Sequence, residues 1–101
     1  MDITAIDRTI HSHVRLGIMT ILSTNDEVPF SYLKKSLKIT DGNLNTHLNV
    51  LEKAGYIKVK KSFVDNKPQT TYSLTKKGVD KFIEYIDIIE NILKEAGGKL
   101  K

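Results

Sequence analysis

Four short polar side chains gather between residues 43 and 49: Asn43, Asn45, Thr46 and Asn49, with Gly42 just before them. Amides and hydroxyls on short stems combine donors and acceptors, the chemistry needed to read base edges in a DNA major groove. Lysines surround the group. Lys34, Lys35 and Lys38 precede it, Lys53 follows closely, and Lys58, Lys60, Lys61 and Lys67 come after. Ammonium groups of this kind suit phosphates, giving salt-dependent affinity without sequence choice. Seven lysines against Asp41 and Glu52 leave residues 31–61 with a surplus of five positive charges, in a chain whose total is +4. The first thirty residues are net negative, and the stretches after residue 61 are close to neutral. The positive field is therefore centred on the amide group and the segment behind it, the footprint expected of a nucleic-acid binder.

A helix has to present these side chains, and residues 40–55 spell one with both ends marked. Thr40 can accept from a free backbone N–H of the first turn, and Asp41 puts a negative charge where the helix dipole favours it. Gly55 can stop the helix in the left-handed conformation, with Tyr56 folding back onto Leu51. Leu44, Leu48 and Leu51 lie at i, i+4 and i+7 and form one narrow apolar stripe. The amides fan across the other side. By propensity that is a poor helix surface, since Glu, Lys, Gln or Ala would serve better.

The 101 residues, 40% hydrophobic and 28% charged, predict a single domain over 1–101 with a modest core. With no cysteine there are no disulfides, thiol redox switches or thiolate metal sites. No apolar run approaches the ~20 residues needed to span a bilayer, and the first residues lack the pattern of a signal peptide. A cytoplasmic protein without a membrane role is expected. Of the three histidines, His11 and His13 point in different directions on a helix, and His47 sits at the edge of the leucine stripe as a packing residue. No metal or other cofactor is expected. Nothing resembles a phosphate loop or a nucleophile elbow, so catalysis is not expected either.

Read in order, residues 3–24 predict two helices broken near Ser12 to Val14, with Ser12 capping the second. Val28-Pro29 suits one short pairing at a sheet edge. Ser31 is expected to cap a short helix that leads into the one from Thr40, giving a helix-turn-helix over about 31–55. The period then changes to two: Ile57 and Val59 alternate with Lys58 and Lys60, Asp65 to Pro68 make a turn, and a second strand returns with Tyr72 and Leu74 inward and Thr71 and Ser73 outward. This hairpin, about 56–75, would be a wing. Thr75 is expected to cap a last helix, about 76–95, followed by a loose glycine-rich tail. In it Val79, Phe82, Ile86, Ile89 and Leu93 follow a three-four heptad spacing. Together with Ile3, Ile6 and Ile10 they are the expected interface of a homodimer. Arg15, one of two arginines, suits a structural salt bridge.

Five stretches in this order resemble a family: His13 to Met19, Phe30 to Leu33, Thr40 to Leu48, Leu51 to Ile57, and Thr71 to Gly78. The chain is similar to the small prokaryotic winged-helix transcriptional regulators related to the MarR and ArsR groups, over about residues 10–80. The resemblance implies an α+β, mainly helical winged helix-turn-helix with a two- to three-stranded wing sheet. It further implies a homodimer on a pseudo-palindromic double-stranded DNA site, with the recognition helix in the major groove and the wing over the adjacent minor groove. Repression by promoter occupancy would follow. The chain departs from its relatives in lacking metal-sensing cysteines, in having Val14 where many carry proline, and in having Lys67 where many carry a wing-tip arginine. Two other functions remain open at this level: a winged helix used for protein contacts, and a nucleic-acid binder with no preferred site. No residue identifies a small-molecule effector.

Overall fold

The computed structural model describes residues 1–101. Its elements are a short 3-10 turn (Ile3–Ala5), α1 (His13–Ser23), β1 (Val28–Pro29), α2 (Phe30–Leu37), α3 (Asp41–Lys53), β2 (Ile57–Val64), β3 (Lys67–Leu74) and α4 (Lys76–Leu100). The three strands form one antiparallel sheet in the order β1-β3-β2. Fifteen apolar residues from every element except the 3-10 turn make a single core, with Ile18, Met19, Leu33, Leu44 and Leu51 at its centre.

Local chemistry sets most boundaries. Ser12 accepts from the Arg15 N–H, Thr40 from Asn43 and Thr75 from Gly78, so three helices begin on hydroxyl caps. The stop of α3 is a Schellman turn: Gly55 takes φ +80°, its N–H donates to the Glu52 carbonyl, and the Tyr56 N–H reaches back to Leu51. The wing turns on Asp65 and Asn66, both at positive φ, the conformation a two-residue type I′ hairpin requires. Eight cross-strand pairs run from Ile57↔Leu74 to Val64↔Lys67.

Four expectations are corrected here. Residues 3–12 hold one 3-10 turn and no helix, because Asp2 accepts from Thr4 and Asp7 from Thr9, local bonds that compete with a helical ladder. Helix α2 starts at Phe30 with Pro29, not Ser31, at its cap and no side-chain capping bond: the pairing of Val28 and Pro29 with Tyr72 and Thr71 runs straight into the helix. Thr71 alternates to the face opposite Tyr72 as expected but is buried, because β3 is the central strand and that face is covered too. The tail is helical to Leu100. Gly97 and Gly98 lower propensity, but extending an existing helix is far easier than nucleating one.

Helix α4 is 25 residues, about 37 Å long at 1.5 Å per residue, in a molecule 56 Å in its longest dimension. It packs through Gly78, Phe82 and Tyr85, and a side chain at Gly78 would bring Cβ within 2.0 Å of the Tyr56 carbonyl oxygen. The heptad positions therefore divide. Phe82 and Ile89 pack in the chain's own core, while Val79, Ile86 and Leu93 form an exposed row with Ile83 beside it. Ile10 is completely buried in that core, Ile6 packs against it and Ile3 is exposed. Ile10 and Phe82 thus cannot line a surface between subunits, whereas Ile3, Val79, Ile86 and Leu93 are free to.

Candidate nucleic-acid interface

The outer face of α3 carries Gly42, Asn43, Asn45, Thr46 and Asn49, all exposed. Underneath, Leu44, Leu48 and Leu51 are buried, so the ridge is seated on the core along its whole length. Only Thr46 turns part of its polarity back, donating its hydroxyl to the Gly42 carbonyl. The amides of Asn43, Asn45 and Asn49 make no side-chain hydrogen bond within the chain. The helix is also held at its far end. Lys77 Nζ donates to the Ala54 carbonyl at 2.9 Å and lies 5.6 Å above the Tyr56 ring, placing a cation where the dipole favours it.

From the side, α3 is fixed by Arg15. Its Nη1 donates to His47 Nδ1 at 2.9 Å, and its other guanidinium nitrogens donate to the Thr9 and Arg8 carbonyls. Arginine has no acceptor, so Nδ1 must be unprotonated and His47 neutral. Burial, and then the charges of Arg15 and His13, hold the His47 pKa below its ordinary value. Arg15 is therefore a clamp between the N-terminal segment and α3, made of hydrogen bonds rather than a salt bridge. A second tie closes the same segment onto the wing root: the Tyr56 hydroxyl donates to Asp7 at 2.6 Å. Burial and the Asp7 carboxylate push the Tyr56 pKa up to about 12. His11 Nδ1 meets the Tyr85 hydroxyl at 2.9 Å, so two of the three histidines are engaged in structural contacts. No group of three or more potential metal ligands occurs.

The lysines do not form one surface. Strand alternation puts Lys61 on the face of the wing that looks toward α3, where Val59, Lys61, Thr70 and Tyr72 line a groove of about 660 Å³ with Asn45, Asn49 and Glu52. Lys58 and Lys60 lie on the other face, and Lys60 pairs with Glu27 at 3.4 Å. Lys34 pairs with Asp41 at 2.8 Å, which neutralises an acid beside the α3 N-terminus. Lys35, Lys53, Lys61 and Lys67 are exposed and take part in no ion pair. Sequence reasoning missed Phe63, 77% exposed near the wing tip. A large apolar residue one step from a turn, on a strand whose inward positions are otherwise filled, was the available signal.

A helix-turn-helix, a three-stranded wing sheet and an exposed amide ridge on the second helix define a winged-helix protein. The chain belongs to the winged helix DNA-binding domain family, whose pattern matches residues 14–93. It is 38% identical over 79 residues to an uncharacterised protein of Methanocaldococcus jannaschii, covering 78% of this chain and 86% of that one. It superposes on a transcriptional regulator homologue of Pyrococcus horikoshii OT3 with a TM-score of 0.83 at 31% identity, over 89% of each chain. A protein of Enterococcus faecalis V583 assigned to the MarR family of transcriptional regulators aligns with a TM-score of 0.79 over 90% of this chain and 82% of its own; at 24% identity that likeness concerns the fold. No helix is long and apolar enough to cross a membrane.

Proposed function

We propose that this chain is a homodimeric, sequence-specific double-stranded DNA-binding regulator that represses by occupying a pseudo-palindromic site in the cytoplasm. Helix α3 enters the major groove, where Asn43, Asn45, Thr46 and Asn49 meet base edges or phosphates and Gly42 permits close approach. Lys34, Lys35, Lys53 and Lys61 neutralise phosphates, and Lys67, which the register puts on the averted face, reaches them only round the wing tip. Lys58 and Lys60, on the averted face of the wing, contribute only through the general field. The exposed row Val79, Ile86 and Leu93, with Ile83 and Ile3, joins two copies and sets the recognition helices about 34 Å apart.

The observation that carries this reading is the amide ridge on α3: solvent-exposed, unbonded within the chain and rigidly backed by three buried leucines. The test is a gel shift with duplexes selected by the full chain, with and without competitor, at two salt concentrations. Binding that survives competitor supports the proposal, and replacing Asn43 and Thr46 with Ala should then relax sequence preference. Binding that competitor removes entirely would make the protein a general binder. No binding at either salt concentration would leave the ridge to a protein partner. Sedimentation should give a dimer, and Ile86→Glu should convert it to monomers.

A further inference from the structure

The proposed DNA contact leaves one prominent feature of the wing unused. Phe63 is 77% exposed, and no large apolar side chain between Met1 and Leu100 is more so. It is held rigidly: the hairpin pairs without a break from Ile57↔Leu74 to Val64↔Lys67 and closes with two residues at positive φ. Its direction follows from the register. Val59↔Tyr72 and Lys61↔Thr70 face the groove beside α3, and the period of two places the next pair, Phe63↔Pro68, on the same side. Phe63 thus stands on the wing face that looks toward the α3 side of the groove, beyond the last residues that line it.

We infer that Phe63 is an apolar wedge that enters the minor groove next to the α3 site and unstacks a base step there. This rests on the DNA-binding reading above. Distance agrees: Phe63 lies four residues beyond Val59, about 13 Å along the strand, and the neighbouring minor groove lies half a helical turn, about 17 Å, from a helix seated in the major groove. Chemistry agrees too. On that face the tip is a small apolar edge of Phe63 and Pro68 beside the ammonium group of Lys61, while Val64 and Lys67 pair on the opposite face and Asp65 is the one acid of the turn. The minor groove is a cleft about 6 Å wide, walled by sugar C–H groups and rimmed by phosphates. Apolar side chains that enter it open base steps and bend the duplex. A contact with a second protein would need a far larger apolar patch than Phe63 and Pro68 offer.

The test uses the full chain and the duplexes it selects from a random-sequence pool. Donor and acceptor dyes at the duplex ends report bending, and 2-aminopurine placed in turn at each step flanking the α3 footprint reports unstacking. With the native protein, one step on each side should brighten and the ends should approach. Phe63→Ala, an exposed substitution that leaves the core intact, should still protect the major-groove footprint. It should bind about tenfold more weakly, with bending and brightening abolished, while Phe63→Leu retains part of both. Equal bending and brightening with Phe63→Ala would overturn the inference and leave the DNA-binding reading standing. So would a change in oligomeric state with that variant, which would assign Phe63 to a contact between copies. Failure of the native chain to select any duplex would remove the DNA-binding reading itself, and the wedge with it.

Discussion

Replacing Gly78 with Ala tests whether the start of α4 is pressed against the stop of α3 as closely as described. The added methyl would stand 2.0 Å from the Tyr56 carbonyl oxygen and 2.9 Å from its carbonyl carbon. Both atoms are backbone and cannot swing aside. To restore an ordinary contact, α4 has to recede by roughly 1 Å. The Thr75 N–H, which donates to that same carbonyl at 3.1 Å, would lose its partner, and the packing of Phe82 and Tyr85 would loosen. Overpacking of this kind costs about 1–3 kcal/mol, and a lost hydrogen bond about 1 kcal/mol more. Alanine recovers about 1 kcal/mol of helix propensity. The net is a loss of about 1–3 kcal/mol, or about 5–20 °C in Tm for a domain of this size. Thermal unfolding at fixed protein concentration measures it, since dimer formation makes Tm concentration-dependent. Gly97→Ala is the internal control: nothing lies within 4 Å of its added carbon, and it should stabilise by up to about 0.5–1 kcal/mol. A Gly78→Ala chain as stable as the native one would refute the close approach and the account of why α4 sits where it does.

Three further outcomes follow from the same geometry. Between pH 10 and about 12 the unfolded Tyr56 has lost its proton while the folded one keeps it, so stability should fall as pH rises through that window, by up to about 2–3 kcal/mol from this residue. Tyr72 and Tyr85 are shifted the same way. Tyr56→Phe should therefore flatten the alkaline slope of a chemical-denaturation series without abolishing it, and an unchanged slope would contradict the Tyr56–Asp7 contact. His47 behaves oppositely. With its pKa held below the usual 6.5, the unfolded chain takes up the proton first, and stability should decline as pH drops below about 6.5. His47→Asn, which can still accept from Arg15, should lessen that decline, and an identical acid limb in both proteins would count against the neutral tautomer. Lys61→Ala should weaken binding to all duplexes alike and reduce the salt slope by about 1, whereas Lys60→Ala should change little. Equal losses at the two positions would mean that both faces of the wing meet DNA.

What the sequence made legible was local. The α3 caps, the Gly55 stop and the hydroxyl caps of α1 and α4 depend on residue types within five positions of one another, and each formed as read; the hairpin turn, expected over Asp65 to Pro68, closes on Asp65 and Asn66 alone, with Lys67 and Pro68 already paired in β3. What it did not disclose depends on neighbours distant along the chain. Ser31 is a good cap by type, yet the pairing of Pro29 with Thr71 starts α2 earlier. Thr71 alternates away from Tyr72 as read, yet it is buried because β3 is central in the sheet and its second face is covered as well. Ile3, Ile6 and Ile10 keep helical spacing, but two aspartates bend the backbone into separate turns. The lysine row looked continuous as text and is divided by the pleat, while the heptad of α4 is split between the chain's own core and its exterior. Phe63 was passed over although the alternation from Ile57 and Val59 already gave its face; what the sequence did not show is that the strand carries it past α3, where nothing covers it.

The join between α3 and α4 has a further consequence. The Thr75 hydroxyl donates to the Gly55 carbonyl at 2.6 Å, the Thr75 N–H to Tyr56, and Lys77 to Ala54, so no compliant linker separates α3, proposed to touch DNA, from α4, proposed to meet a second copy. Such a dimer would act as a calliper with a locked joint. One extra base pair between half-sites moves the second by about 3.4 Å and turns it by roughly a tenth of a revolution. The protein has no bend with which to follow, so the adjustment falls on the DNA, and half-site spacing becomes as selective as the bases themselves.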